Sequence, residues 1–208
     1  MNQPKIKKLI NHFKTKYPQP KTALNYSSPF ELLVAVILSA QTTDKQVNKV
    51  TAKLFKEYNT PEDFSRLTSQ KLQNKIKTLG LYRNKSKYLL KTAQMITGEH
   101  DGKVPQSYNS LVELPGVGRK TALVVLGEVF SKNTFPVDTH VHRVANRLGL
   151  AKGVNVRETE RGLKKNVPEK NWYQMHHWLI KHGRSRCKAQ NPECKKCEIK
   201  SLCIFYEM

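Results

Sequence analysis

Apolar residues recur at every third or fourth position through most of the 208-residue chain, the spacing of helices that bury one face. The pattern is clearest after Ser28-Pro29-Phe30-Glu31. A capping Ser, a Pro at the first helical position and a Glu at the third mark a helix start, and Phe30, Leu33, Val34, Ile37 and Leu38 then fall on one side. The same periodicity predicts a helix over 44–58 through Val47, Val50, Leu54 and Phe55, and a short helix opened by Thr60-Pro61-Glu62-Asp63. Another runs through Leu72, Ile76 and Leu79 until Gly80 stops it. The next is marked by Tyr88, Leu89, Thr92, Met95 and Ile96 and ends near Gly98. Further helices are predicted over 121–130, 139–149, 158–167 and 172–182. No sustained alternation competes, so the predicted fold class is all-α.

Composition adds a partner to this picture. Lys and Arg number 37 against 16 Asp and Glu, a formal charge of +21, and such an imbalance attracts polyanions. Hydrophobic residues still make up 38%, so the basicity reflects missing acids rather than a missing core, and disorder is excluded. The length fits one domain or two small ones sharing a cleft. The N-terminus is basic without the apolar stretch of a secretory signal. The longest apolar run, 32–38, is far below the ~20 residues that span a bilayer. A soluble cytoplasmic protein without membrane contact is expected. Only nine of the cations are Arg, so gripping phosphates fits better than reading base edges. A solvated Lys-rich surface is the plainer alternative.

The four cysteines all lie in the last 22 residues as Cys187-x6-Cys194-x2-Cys197-x5-Cys203. In a reducing cytosol that clustering suits a four-thiolate metal site rather than disulfides. A [4Fe-4S] cluster is preferred, because zinc ordinarily uses two C-x2-C pairs and here only Cys194/Cys197 forms one; zinc and free thiols stay open. Arg184, Arg186 and Lys188, beside and within the six-residue loop, read as phosphate-facing.

Leu114-Pro115-Gly116-Val117-Gly118-Arg119-Lys120-Thr121-Ala122 joins two helices. Gly116 and Gly118 allow a tight turn that brings N–H groups and a helix start to an anion. A dinucleotide fingerprint fails because Thr121 stands where a third Gly is needed, and a P-loop fails because Arg119 precedes the Lys. A helix-hairpin-helix that holds a nucleic-acid backbone remains, beside the plainer reading of an ordinary Gly turn. Lys120 falls in the first turn of the next helix. There the positive dipole end and Arg119 disfavour its ammonium form, and a depression of its pKa by a few units would make it a usable nucleophile; taken alone, it reads first as a plain phosphate-binding lysine. Asp138, in Val137-Asp138-Thr139-His140, reads as an N-cap that could also steady a cationic sugar. His140 is a possible phosphate neighbour.

Together these strings, with Leu38-Ser39-Ala40-Gln41-Thr42-Thr43-Asp44, resemble the endonuclease III family of DNA base-excision repair enzymes from about Asn25 to Cys203. The resemblance implies two helical domains flanking a DNA-binding cleft. A six-helix barrel with the hairpin would span 22–132, and 1–21 plus 133–208 would form the iron–sulfur domain. It implies a monomer acting on nucleoid DNA as a bifunctional N-glycosylase and apurinic/apyrimidinic lyase, with double-stranded DNA carrying oxidised pyrimidines or abasic sites as substrate. Lys120 then matches the lysine that attacks the sugar C1′, and Asp138 its assisting carboxylate. Gln41 matches the residue filling the hole left by the extruded base, and Leu81 the wedge in the opposite strand. Ser39 and Asp44 match polar residues near the pocket. A mismatch adenine glycosylase is a weak alternative, because such relatives lack the lysine. A non-catalytic DNA- or RNA-binding module is the rival from another class.

Overall fold

The computed structural model describes residues 3–207; Met1, Asn2 and Met208, the outer ends of the predicted second domain, lie outside the described residues. In chain order the helices are α1 (Gln3–Lys16), α2 (Pro29–Leu38), α3 (Asp44–Leu54), α4 (Pro61–Ser65), α5 (Ser69–Ile76), α6 (Tyr82–Glu99), α7 (Tyr108–Glu113), α8 (Arg119–Val129), α9 (Thr139–Leu148), α10 (Val156–Asn166), α11 (Trp172–Ser185) and α12 (Ile204–Glu207). Single 3-10 turns occupy Glu169–Asn171, Cys194–Lys196 and Lys200–Leu202. Among the described residues there is no strand, and none of the helices is long and apolar enough to cross a membrane. The chain divides into two compact units, Ala23–Ser131 and Met1–Thr22 with Lys132–Met208.

The unit 23–131 is built around α2. Ser28 accepts a hydrogen bond from the Glu31 N–H at 3.2 Å, and the Glu31 carboxylate accepts from the Ser27 N–H at 2.6 Å, so two of the N–H groups at this helix start are satisfied. The periodic pattern placed one face of α2 inward, but every residue from Phe30 to Leu38 is buried. The continuous run 32–38 makes this the central helix, surrounded by the others. Phe30 meets Phe64 of α4 edge-on at 5.2 Å, and Val47, Leu54, Leu72, Ile76, Leu89 and Leu111 complete the same core. Truncating a fully buried side chain such as Leu33 to Ala costs about 2–5 kcal/mol.

Helix α3 stops at Leu54, four residues before the predicted end. The chain then tightens into a turn in which the Tyr58 N–H still reaches the Leu54 carbonyl at 2.9 Å, and the apolar periodicity outlasts the helix because Phe55 and Tyr58 stay packed on the core. At Thr60 both halves of a capping box form with Asp63.

In the other unit, Ile6, Leu9, Ile10 and Phe13 form the buried stripe of α1. Phe13 stacks on Trp178 at 6.1 Å, whose indole N–H donates to the Tyr17 carbonyl at 3.0 Å. Val141, Val144, Ala145 and Leu148 of α9 share this core with Met175 and Leu179 of α11.

Candidate functional site

The glycine turn of unit 23–131 is fastened to α6. Gly116 has φ +80°, a left-handed value costly for a residue with a Cβ. A Cβ there would also lie 2.9 Å from Cβ of Tyr88. Thr92 donates to the Pro115 carbonyl at 2.7 Å. Gly118 differs: it is the N-cap of α8 with φ −86°, and a Cβ there would meet nothing within 4 Å. Glycine at this cap therefore answers no steric demand of the fold. It leaves the first turn of α8 without a side-chain cap, and a helix start of this kind favours an anion. Arg119 and Lys120 occupy this turn, both exposed. Arg119 donates to the Tyr108 hydroxyl at 3.1 Å and lies 5.4 Å over its ring.

Gln41 and Leu81 stand on two turns of the same unit at φ 53° and 59°. Left-handed backbone in such residues costs about 1–2 kcal/mol each. Leu81 is 53% exposed and Gln41 exposed, so neither strain is offset by burying that side chain. Ser39 closes α2 and donates from its hydroxyl to the Val36 carbonyl at 2.7 Å; Asp44 begins α3 behind the Thr43 cap. Sequence reading missed Lys85. It is 3% exposed, its Nζ donates to the Thr42 hydroxyl at 2.9 Å, and burial lowers its pKa. The available signal was its register with Leu89, Thr92 and Ile96, the buried stripe of α6.

In the other unit, Asp138 is the N-cap of α9, accepting from the Val141 N–H at 2.9 Å. His140 meets Arg143 at 3.3 Å. Arg143 and Arg147, one turn apart on α9, were not singled out from sequence. Both turn to the cysteine segment. Arg143 donates to the carbonyls of Gly183 and Cys187, each at 3.1 Å, and Arg147 to those of Lys188 at 2.7 Å and Ala189 at 3.1 Å. Arg186 and Lys188, read from sequence as phosphate-facing, share one acidic partner. Both close on Glu193, at 2.6 and 2.7 Å, and these bonds hold its carboxyl below the usual range. Arg184 is exposed.

Cys187, Cys194, Cys197 and Cys203 are free thiols that line one small cavity of about 20 Å³ together with Leu148, His182, Arg186 and Lys200. Burial raises the thiol pKa of Cys197 and Cys203. Buried His182, pushed down to about 4 by desolvation and then by nearby Lys16, points Nε2 at the Cys197 sulfur from 3.8 Å. Glu198 pairs with Lys16, which takes its carboxyl down to about 2. Among the described residues, no three His, Cys, Asp or Glu side chains are placed to hold one metal ion.

Residues 34–169 match the model of the HhH-GPD superfamily of base-excision DNA repair proteins. Endonuclease III of Escherichia coli K12 is 46% identical over 207 residues, covering 100% of this chain and 98% of that protein. The endonuclease III of Bacillus subtilis is 45% identical, covering 98% and 93%. The structure of a trapped endonuclease III–DNA covalent intermediate superposes with a TM-score of 0.93 at 40% identity over 100% and 98% of the two chains. A thermostable thymine-DNA glycosylase superposes at 0.87 with 25% identity over 98% and 97%.

Proposed function

The chain belongs to the endonuclease III family of the HhH-GPD superfamily, bifunctional DNA glycosylases and apurinic/apyrimidinic lyases of base-excision repair, and from that premise we propose that Lys120 is its nucleophile, Asp138 its assisting carboxylate and oxidised pyrimidines in duplex DNA its substrates. One observation carries the assignment of Lys120: it is an exposed residue in the first turn of a helix whose Gly118 N-cap makes no side-chain cap hydrogen bond. A lesion sugar whose phosphate rests on that turn comes within reach of the amine. The covalent protein–DNA intermediate of a close relative supports a covalent route here too.

The damaged nucleotide is extruded, at a cost of a few kcal/mol that is least for poorly paired bases. Gln41 fills the gap and Leu81 wedges the opposite strand, while Gly116, Gly118, Arg119, His140 and Arg184 hold phosphates. Arg186 and Lys188 add one net positive charge after pairing with Glu193. The Lys120 nitrogen bonds through its lone pair to C1′ as the glycosidic bond breaks, and the base leaves with the proton that the nitrogen gives up. The Asp138 carboxylate stabilises the positive charge growing on the sugar. Breaking the C1′–O4′ bond, with O4′ taking up a proton from solvent, opens the ring and gives a protonated Schiff base. Loss of a C2′ proton then forms the C2′–C3′ double bond and expels the 3′ phosphate, and water frees the lysine.

The four thiols fit a [4Fe-4S] cluster: they are free, they line one cavity, and only Cys194/Cys197 forms the C-x2-C pair of which zinc ordinarily uses two. Bound there, the cluster would cross-link the 187–203 segment. Duplexes carrying an oxidised pyrimidine, an oxidised purine or a mismatched adenine test the substrate class. Release and nicking are expected at the first and at abasic sites; preferential release of the mismatched adenine would overturn it.

A further inference from the structure

Of the five non-glycine residues at positive φ among those described, Asp101 and Asn191 are types that tolerate it, whereas Ser131, Gln41 and Leu81 are not, and of these three only Gln41 and Leu81 stand on turns proposed to enter the duplex. Such backbone persists only where its surroundings over-determine it. Both strained turns meet at one residue. The Lys85 N–H donates to the Leu81 carbonyl at 3.0 Å, and its Nζ donates to the hydroxyl of Thr42, next to Gln41, at 2.9 Å. The Thr42 N–H in turn closes the turn over Gln41 by donating to the Ser39 carbonyl at 3.1 Å. A lysine with 3% of its surface exposed gives up hydration that a hydrophobe in its place would not forfeit, so packing alone does not account for it.

We propose that Lys85 is a positioning residue that locks the Gln41 turn to the Leu81 turn, so that gap filler and wedge enter the duplex as one rigid tool. Leu81, Lys85, Tyr88 and Thr92 follow at the four-, seven- and eleven-residue intervals of one helix face, and Tyr88 and Thr92 are the residues that fasten the glycine turn. One face of α6 thereby sets the spacing of all three elements. The inference rests on the proposed roles of Gln41 and Leu81.

The test compares base release from a lesion duplex, which requires extrusion, with cleavage of a single-stranded abasic oligonucleotide, which does not. Lys85→Met and Thr42→Val should each lower kcat/KM on the duplex by about tenfold, the scale of a lost charged hydrogen bond, and lower single-strand cleavage far less. The Lys85→Met unfolding midpoint should hold, since exchanging a buried charge for a hydrophobe is commonly neutral or stabilising, and Thr42→Ser should keep wild-type activity. In a Gln41→Ala background, Lys85→Met should add little. Equal losses on both substrates, or losses that multiply with Gln41→Ala, would overturn the proposal. If Gln41→Ala impairs the duplex reaction and Lys85→Met does not, Lys85 alone is rejected. If Gln41→Ala itself has no effect, the gap-filling role fails and the positioning role falls with it.

Discussion

The turns around α6 and the segment 187–203 both serve the proposed DNA grip, yet they are held in opposite ways. The first rest on a continuous apolar core and on short hydrogen bonds from Lys85 and Thr92. In the second, Ile199 and Cys203 are the buried apolar residues; the segment hangs from Arg143 and Arg147, from ion pairs to Glu193, and from four thiols around a cavity. Packing specifies one region without help. The other would be tied together by the cluster proposed at its cysteines, as small segments without a core commonly are.

The largest predicted effect breaks that second region alone. Cys197→Ser should abolish the visible absorbance of a cluster and leave amides of 187–203 exchanging freely, while those of α2 and α8 keep their protection. Equal loss of protection in both regions would show that the contrast is wrong. Next in size is Asp138→Asn, in which the amide still caps α9. Turnover should fall by roughly 10²–10⁴ with DNA affinity and unfolding midpoint nearly unchanged. A stability loss matching the activity loss would make Asp138 a cap and nothing more.

The two glycines sharpen the contrast inside the packed region. Gly116→Ala should destabilise by about 1–3 kcal/mol, from positive φ and from crowding against Tyr88. Gly118→Ala, with open space around it, should cost well under that in denaturant melts but should weaken binding to abasic-site DNA. A reversed order would contradict the division between a glycine for the fold and a glycine for the phosphate.

The smallest effect concerns pH. Burial and then the Glu128 carboxylate push the Tyr26 hydroxyl up to about 12 from 10.0, and it donates to Glu128 at 3.1 Å. Because the folded state holds this proton more tightly than the unfolded chain, its contribution is complete below pH ~10 and is lost as pH rises towards ~12. Tyr26→Phe should lose about 1 kcal/mol or less at pH 7 and show a shallower decline between pH 10 and 12 in urea melts. An unchanged decline would assign it to other groups.

Local chemistry was legible in the sequence. The Ser28 start, the Thr60 capping box and the Asp138 cap each depend on a side chain and an N–H two or three residues away, so they can be read without the fold. The glycine string and the cysteine spacing were likewise local. What escaped depends on tertiary contact. Lys85 was invisible because periodicity places lysine outside, and its burial depends on Thr42, forty-three residues away. Arg143 and Arg147 read as two more cations among 37, although the segment they hold lies some forty residues on. The pairing of Arg186 and Lys188 with Glu193 was within reach, since all three lie within eight residues, but a count of charges does not say which cation meets which acid.

The most direct measurement traps the covalent intermediate with borohydride on duplex DNA carrying an oxidised pyrimidine and maps the adduct by peptide mass. The adduct should fall on Lys120 in the wild type and vanish in Lys120→Ala. An adduct on Lys85 or another lysine, or an undiminished yield in Lys120→Ala, would contradict the account.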